Sequence, residues 1–145
     1  MVAKVKTFSL IGIDVAPVDV QVKISPGASK FTIVGLPDKA VGESKERVQA
    51  AISSTGLAWP YSKITVNLAP ADLQKEGCHF DLAIALAIMI EMKVLEASSL
   101  ENFFILGELS LAGSITGVNG IISAAIGANQ RNLGIICPAA NGKEA

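Results

Sequence analysis

The stretch from residue 64 to residue 92 constrains the fold more than any other part of the chain. An apolar, strand-like segment over 64–68 ends in an Ala-Pro turn, and a polar loop then closes on Gly77. The helix predicted over 80–92 is apolar on nearly every face, so it has to be buried. Polar loops between buried elements are frequent places for functional residues, because the elements behind them hold the loop still. The sequence therefore predicts a core strand, a core helix and a candidate functional loop between them.

Hydrophobic periodicity and turn signals predict the remaining elements. Residues 18–24 alternate apolar and polar, which is the period of a strand with one buried face. Asp38 is the predicted N-cap of a helix that runs to Ser54 and stops at Gly56. The other predicted elements are strands over 2–13, 31–34, 103–106, 109–111, 114–116 and 135–137, and a helix over 121–131. The first three strands are expected to form an antiparallel meander. The order β-β-β-α-β-α-β-β-α-β predicts an α+β fold, a mixed sheet with helices packed on one side.

Length and composition fit a single domain over residues 1–145. Half of the residues are hydrophobic and 5% are aromatic, so aliphatic side chains must fill the core. The longest apolar run, 82–90, is shorter than the roughly 18 residues that span a bilayer, and no signal-peptide pattern opens the chain. Two cysteines without metal-type spacing suggest a reduced, cytoplasmic protein. The net charge of −1 lacks the basic footprint of a dedicated DNA-binding domain.

A set of motifs is more specific together than any one of them alone. The motifs are Gly35–Asp38, Glu43–Ser44, Glu46–Val48, Asn67–Leu73, Lys75–Gly77, Phe80–Leu82, Leu106–Leu111, Gly117–Val118 and Pro138–Asn141. From about Lys4 to Ala145, the chain resembles the N-terminal domain of Mg-chelatase-related AAA+ ATPases of the competence-protein (ComM) type. Two departures are Cys78 and Ala83, which stand where prolines are expected.

The resemblance implies a fold like ribosomal protein S5 domain 2, which the proteolytic domain of Lon shares. It also implies that this chain is a truncated fragment, followed by a hexameric AAA+ motor that uses ATP and Mg²⁺ in DNA branch migration during natural transformation. The chain itself is expected to bind no cofactor. A phosphate-binding P-loop requires Gly-Lys followed by Ser or Thr, whereas Gly142 and Lys143 are followed by Glu144.

The Lon-like relation implies two catalytic positions, a serine nucleophile and a lysine base. The matching positions are His79 and Ile122, so both reactive groups are absent and the chain is expected to lack peptidase activity. Cys78 and His79 look like a nucleophile–base pair, but neighbours in an extended chain point apart. They are expected to be a loop cysteine and a partly exposed histidine. One histidine and two distant cysteines also fall short of a metal site.

The charged residues of the loop have two possible roles. Asp72, Lys75, Glu76 and Asp81 either cap a turn and a helix, with Asp81 favoured by the helix dipole, or form a contact surface for a partner. Lys39 and Arg47 are candidates for the same surface, and together with Glu43 they follow each other at i,i+4 spacing on the solvent side of a helix.

Three functions follow from these expectations. The leading one is a non-catalytic accessory domain that contacts its own AAA+ domain and neighbouring subunits. The second is direct DNA binding through cations converging near the loop, namely Lys30, Lys39, Lys45, Arg47, Lys63 and Lys75. The third is a residual Lon-like hydrolase. No contact with a membrane is expected.

Overall fold

The computed structural model describes residues 2–11 and 14–143. These residues form a six-stranded sheet, a two-stranded sheet and three α-helices. The elements in chain order are β1 (Ala3–Ile11), β2 (Asp14–Ser25), β3 (Lys30–Val34), α1 (Asp38–Ser54), β4 (Lys63–Ala69), α2 (Asp81–Glu91), β5 (Phe103–Ile105), β6 (Glu108–Leu109), β7 (Ile115–Thr116), α3 (Ile121–Gln130) and β8 (Gly134–Ile136). The structure contains three strands between α2 and α3, at the segments predicted over 103–106, 109–111 and 114–116. The predicted order, which counted two strands there, is therefore one strand short, and the order of the other elements is confirmed.

The main sheet is mixed, with the strand order β3-β4-β2-β1-β5-β8. Strand β2 runs antiparallel to both β1 and β4, while β3 lies parallel to β4 and β5 lies parallel to β1 and β8. The predicted meander is therefore wrong for β3. Helix α1 connects β3 to β4, and a helical crossover of this kind brings two strands together in parallel.

Alternating side chains of the sheet build two separate cores. On one face, Val20 and Val66 pack with Ile84 and Ile88 of α2 and with part of α1. On the opposite face, Phe8 and its neighbours pack against α3. The prediction of helices on one side is thus wrong, although the α+β class with a mixed sheet is confirmed. We call these two clusters the first core and the second core.

The second core contains the closest ring contact of the chain's described residues. The rings of Phe8 on β1 and Phe104 on β5 stack with centroids 3.6 Å apart, and Ile121, Ala124 and Ala128 of α3 cover them. Aromatic pairs of this kind add about 0.5–1.5 kcal/mol to the burial of their area. The pair therefore fixes α3 over the β1–β5 part of the sheet.

The ends of α1 differ from the prediction at one of two points. Pro37 occupies the N-cap position, with ψ 149°, and Asp38 is the first helical residue without a side-chain capping bond. Its carboxylate still lies in the first turn, where the helix dipole favours negative charge. At the other end the helix stops at Ser54 and Gly56 adopts φ +89°, as the sequence predicts. Within the described residues, every helix is too short or too polar to span a bilayer.

Candidate functional site

The segment 70–80 connects β4 to α2, and we call it the 70–80 loop. Two side-chain hydrogen bonds attach it to β1. The Ser9 hydroxyl donates to the carbonyl oxygen of Gln74 at 2.9 Å, and Nε2 of His79 lies 2.6 Å from the carbonyl oxygen of Phe8. Because that oxygen can only accept, Nε2 carries the proton. The loop is therefore tied to β1 at two points.

Lys75 ties the loop to itself. Its ammonium group donates to the carbonyl oxygens of Pro70 at 2.5 Å and Leu73 at 2.7 Å, and the residue is 2% exposed. The sequence left two roles open for Lys75, a cap of the turn or part of a contact surface. The structure supports the first role, since the buried ammonium group faces inward and bonds to the turn that begins the loop. The charged residues of the loop that remain exposed are Asp72 and Glu76.

His79 is buried, with 5% of its surface exposed, and its ring lies against Phe80 with centroids 4.1 Å apart. The expectation of a partly exposed histidine is therefore wrong. Burial lowers the pKa of His79 below its usual value of 6.5, against the opposing effects of the Phe8 carbonyl and the Asp81 carboxylate. The ring is thus neutral near neutral pH and acts as a bridge between the loop and β1.

The carboxylate of Asp81, at the start of α2, is the most densely bonded side chain of the site. It is 1% exposed and accepts hydrogen bonds from the Ser44 hydroxyl at 2.8 Å, the Arg47 Nε at 2.5 Å and the Leu109 backbone N–H at 3.2 Å. A second bond from Arg47 Nη2 measures 3.2 Å. The network joins α1, α2 and β6, so Asp81 serves the fold directly, beyond any effect of the helix dipole.

Arg47 faces two carboxylates. The hydrogen bond to Asp81 raises the pKa of its guanidinium above the usual value, against the effect of burial. Its Nη1 also lies 3.8 Å from a carboxylate oxygen of Glu43, one turn earlier on α1. The Arg47 side chain is 18% exposed. The sequence placed it on the solvent side of the helix, but the structure uses it chiefly as an internal partner.

A groove of about 470 Å³ lies beside the loop. Its lining residues are Leu10, Glu76, Gly77, Cys78, His79, Glu108, Gly117, Val118 and Asn119. Cys78 is an exposed residue, but partial burial of its thiol raises the thiol pKa above the usual 9.0, against the effect of Arg47 and with a further contribution from Glu108. The thiol is therefore protonated near neutral pH, and the protonated form is a poor nucleophile.

The two positions implied by the Lon-like relation lie in different places. His79 lines the groove beside the loop, whereas Ile122 lines a separate groove between α3 and β8. Ile122 and Ile126 lie one turn apart on α3, with exposed fractions of 57% and 54%. The structure thus does not bring His79 and Ile122 together.

The cations predicted to converge near the loop do not do so. Lys75 is buried and Arg47 is paired with Asp81. Lys39 and Lys45 lie on α1, which packs on the first-core face of the sheet. Lys30 and Lys63 occupy strand positions that alternate with buried first-core residues, so their side chains leave from the opposite face. The predicted DNA-binding set is therefore split between two sides.

Two partners of the site escaped sequence reasoning, namely Ser44 and the backbone N–H of Leu109. Ser44 and Arg47 lie three residues apart on α1, a spacing that places both on one side of a helix. That spacing, followed by an acidic residue at the start of a buried helix, was the available signal for Ser44. Nothing in the sequence pointed to Leu109. Among the described residues, no cluster of three His, Cys, Asp or Glu side chains has the geometry to hold a metal ion.

The chain matches one protein family and several individual proteins of known sequence. Residues 20–141 match the family described as subunit ChlI of Mg-chelatase. The protein YifB of Salmonella typhimurium is 43% identical over 142 residues, which cover 98% of this chain and 28% of YifB. The competence protein ComM of Haemophilus influenzae is 42% identical over 135 residues, which cover 93% of this chain and 26% of ComM. The chain thus spans about a quarter of the length of the curated relatives it matches.

Proposed function

Because the chain belongs to the ChlI family of Mg-chelatase subunits and is related to the ComM-type proteins, we propose that it is a non-catalytic accessory domain of a Mg-chelatase-like AAA+ ATPase. Its partners are the AAA+ motor of the same protein and neighbouring subunits of a hexameric ring. ATP and Mg²⁺ belong to the motor. Since one relative is a competence protein, the process we propose is DNA processing by branch migration during natural transformation, in the cytoplasm.

The observation that supports a non-catalytic role is the state of His79. It occupies the position of the Lon-type nucleophile, but it is buried and its Nε2–H is donated to the Phe8 carbonyl. A catalytic nucleophile needs an adjacent base and a free approach for the substrate. The neighbouring Cys78 thiol has a raised pKa, which works against thiolate chemistry.

The second support is the way the 70–80 loop is held. Lys75, His79 and Ser9 all bond to backbone carbonyls, so the loop is fixed before any partner binds. A fixed loop loses little conformational entropy on association. Its exposed carboxylates, Asp72 and Glu76, are then available to basic residues of a partner, and we propose that the loop is a docking element for the motor or a neighbouring subunit.

The test of the non-catalytic role is a fluorogenic peptide assay on the wild-type chain and on His79→Ala. We expect no turnover above buffer for either protein. Turnover by the wild type that disappears in His79→Ala would replace this proposal with a residual Lon-like hydrolase.

The test of the docking role uses a chimera in which this chain replaces the matching region of Haemophilus influenzae ComM. We expect the chimera to assemble and to hydrolyse ATP. Asp72→Lys with Glu76→Lys should weaken assembly roughly tenfold, since like charges placed opposite each other in an interface are costly. The matched control is Glu96→Lys with Glu101→Lys, two exposed carboxylates outside the loop. Equal effects of the two double variants would refute a specific role for the loop.

A further inference from the structure

Five lysines leave the sheet on the face opposite the first core. Residues of β1, β2, β3 and β4 that alternate with first-core residues point to this face. We call these lysines the lysine band, and its members are Lys4, Lys6, Lys23, Lys30 and Lys63. They are five of the twelve Lys and Arg residues of the chain, so the near-neutral net charge conceals a basic surface.

The strand register arranges the band as a continuous diagonal. Lys6 and Lys4 are successive outward residues of β1, and Lys4 lies opposite Gln21 of β2. Lys23 is the next outward residue of β2, and Lys63 of β4 lies opposite the one after it, Ser25. Lys30 of β3 is paired with Lys63. From strand spacing and rise, the band is roughly 25 Å long.

Negative charge near the band is concentrated at one end, where Glu91, Glu96 and Glu101 line a groove with Lys4 and Lys6 and Lys6 Nζ donates to the carbonyl oxygen of Glu101 at 3.0 Å. Asp19 is the one acidic residue at the outward positions of these four strands, within the residues that the structure describes. Its carboxylate lies 3.8 Å from Lys4 Nζ, and the two side chains are 41% and 55% exposed. An exposed pair of this kind contributes little to stability. Lys4 can therefore exchange Asp19 for an anionic ligand at small cost.

The surface between the lysines is polar. Gln21, Thr32, Thr65 and Asn67 occupy the intervening outward positions, and the Asn67 amide donates to the Gln21 side chain at 3.2 Å. Such groups can donate to phosphate oxygens, and they can both donate to and accept from base edges. A peripheral membrane surface would need apolar side chains that insert into lipid, and among these interior positions the chain offers amides and hydroxyls. This chemistry favours a nucleic acid over a lipid surface.

A free aromatic ring lies at one end of the band. Tyr61 is 87% exposed and precedes Lys63 by two residues. The Lys30 backbone N–H donates to the carbonyl oxygen of Ser62 at 3.3 Å. The segment with Tyr61 therefore lies beside Lys30 and Lys63, the two lysines at this end of the band. Proteins that bind single strands combine a basic track for the backbone with aromatic rings on which bases stack.

We propose that the lysine band is a binding site for a single nucleic-acid strand, with the lysines contacting successive phosphates and Tyr61 stacking on an unpaired base. The site lies on the sheet, on another face from α1, and uses none of the residues assigned to docking. The proposal rests on the accessory role and names the substrate that the domain would engage. The two proposals fail separately, because the docking proposal is tested by assembly and ATP hydrolysis, and the present one by the binding of nucleic acid to the chain alone.

Fluorescence anisotropy with a labelled 20-nucleotide oligo(dT) and the matching duplex tests the proposal. We expect binding of the single strand at low salt that weakens as salt rises. Lys23→Gln with Lys63→Gln should lower the affinity about tenfold and reduce the salt slope by about 1.4, since each phosphate contact in a single strand contributes about 0.7. The control, Lys39→Gln with Lys45→Gln, removes the same amount of charge from α1 and should leave both the affinity and the salt slope unchanged.

Tyr61 provides the second arm. Tyr61→Ala should weaken single-strand binding between about fivefold and a hundredfold, whereas Tyr61→Phe keeps the ring and should bind like the wild type. Circular dichroism verifies that the variants are folded.

The proposal is overturned if the single strand does not bind at low salt, if the Lys39 and Lys45 control loses as much affinity as the band variant, if the duplex binds as tightly, or if anionic vesicles compete equally.

Discussion

Arg47 and Asp81, 34 residues apart in sequence, form a two-bonded ion pair that joins α1 to α2. The Asp81 side chain is 1% exposed and the Arg47 side chain 18%. A buried carboxylate is costly unless its partners remain, and removal of one partner of a buried pair costs more than the pair itself contributes. Ser44 and the Leu109 N–H complete the coordination of this carboxylate, which makes the pair a strong determinant of how the helices pack.

Arg47→Ala should lower the free energy of unfolding by about 3 kcal/mol, because it leaves the Asp81 carboxylate buried with two neutral donors. Urea denaturation followed by circular dichroism measures this. The matched control is Glu43→Ala, which removes the exposed side of the same network and should cost less than about 1 kcal/mol. Equal costs for the two variants would show that the Asp81 contact is not the important one.

His79 should make stability depend on pH. Burial lowers its pKa in the folded state below 6.5, so below that pH the unfolded chain binds more protons than the folded one and stability falls with decreasing pH. His79 is the single histidine of the chain. We expect wild-type stability to decrease from pH 7 towards pH 5 more steeply than that of His79→Gln. Parallel curves for the two proteins would contradict the assignment.

Lys75→Met should loosen the 70–80 loop without unfolding the domain. Methionine keeps the length of the buried stem but removes the ammonium donor from the carbonyl oxygens of Pro70 and Leu73, so that Pro70 keeps the 3.4 Å bond from the Leu73 N–H. Amide hydrogen exchange should become faster at residues 71–77 and stay unchanged in α1 and α2, because local opening is governed by local contacts. Lys39→Met, on the exposed surface of α1, is the control and should leave the exchange of the loop unaltered.

Two glycine substitutions should have opposite signs. Gly77 adopts φ +103°, and an added β-carbon would lie 2.9 Å from His79 Nδ1, so Gly77→Ala should destabilise by about 1–3 kcal/mol. Gly42 lies inside α1 with open space around it, and Gly42→Ala should stabilise by about 1 kcal/mol. Thermal unfolding of both variants tests this. Stabilisation by Gly77→Ala would show that the left-handed geometry is not required.

Sequence patterns predicted the elements of this fold well, because their signals are local. The alternation over 18–24, the apolar run over 82–90 and Gly56 each report their own neighbourhood. The partner of β3 and the side taken by α3 depend on contacts between distant segments, and the sequence prediction was wrong for both. The α3 helix shows why: Ile121 and Ala124 would fit either face by their chemistry, and their packing with Phe8 is a contact between distant segments.

The candidate site was predictable in location but not in the roles of its residues. The 70–80 loop and the start of α2 that follows it were identified from sequence, whereas the burial of Lys75 and His79 was not. Charged and polar side chains are usually exposed, so the default expectation fails where backbone carbonyls such as those of Pro70 and Phe8 form a receptor for them. The register that aligns the lysine band is likewise invisible until strands are paired.

Strand β5 separates the two cores residue by residue. Phe104 lies in the second core and its neighbour Ile105 in the first. Side chains on opposite sides of a sheet share only the backbone between them, and the energetic effects of changes at sites without common partners add. Substitutions on the α3 side of this domain can therefore accumulate without compensating substitutions beneath α1 and α2, so the two faces of the sheet can diverge independently.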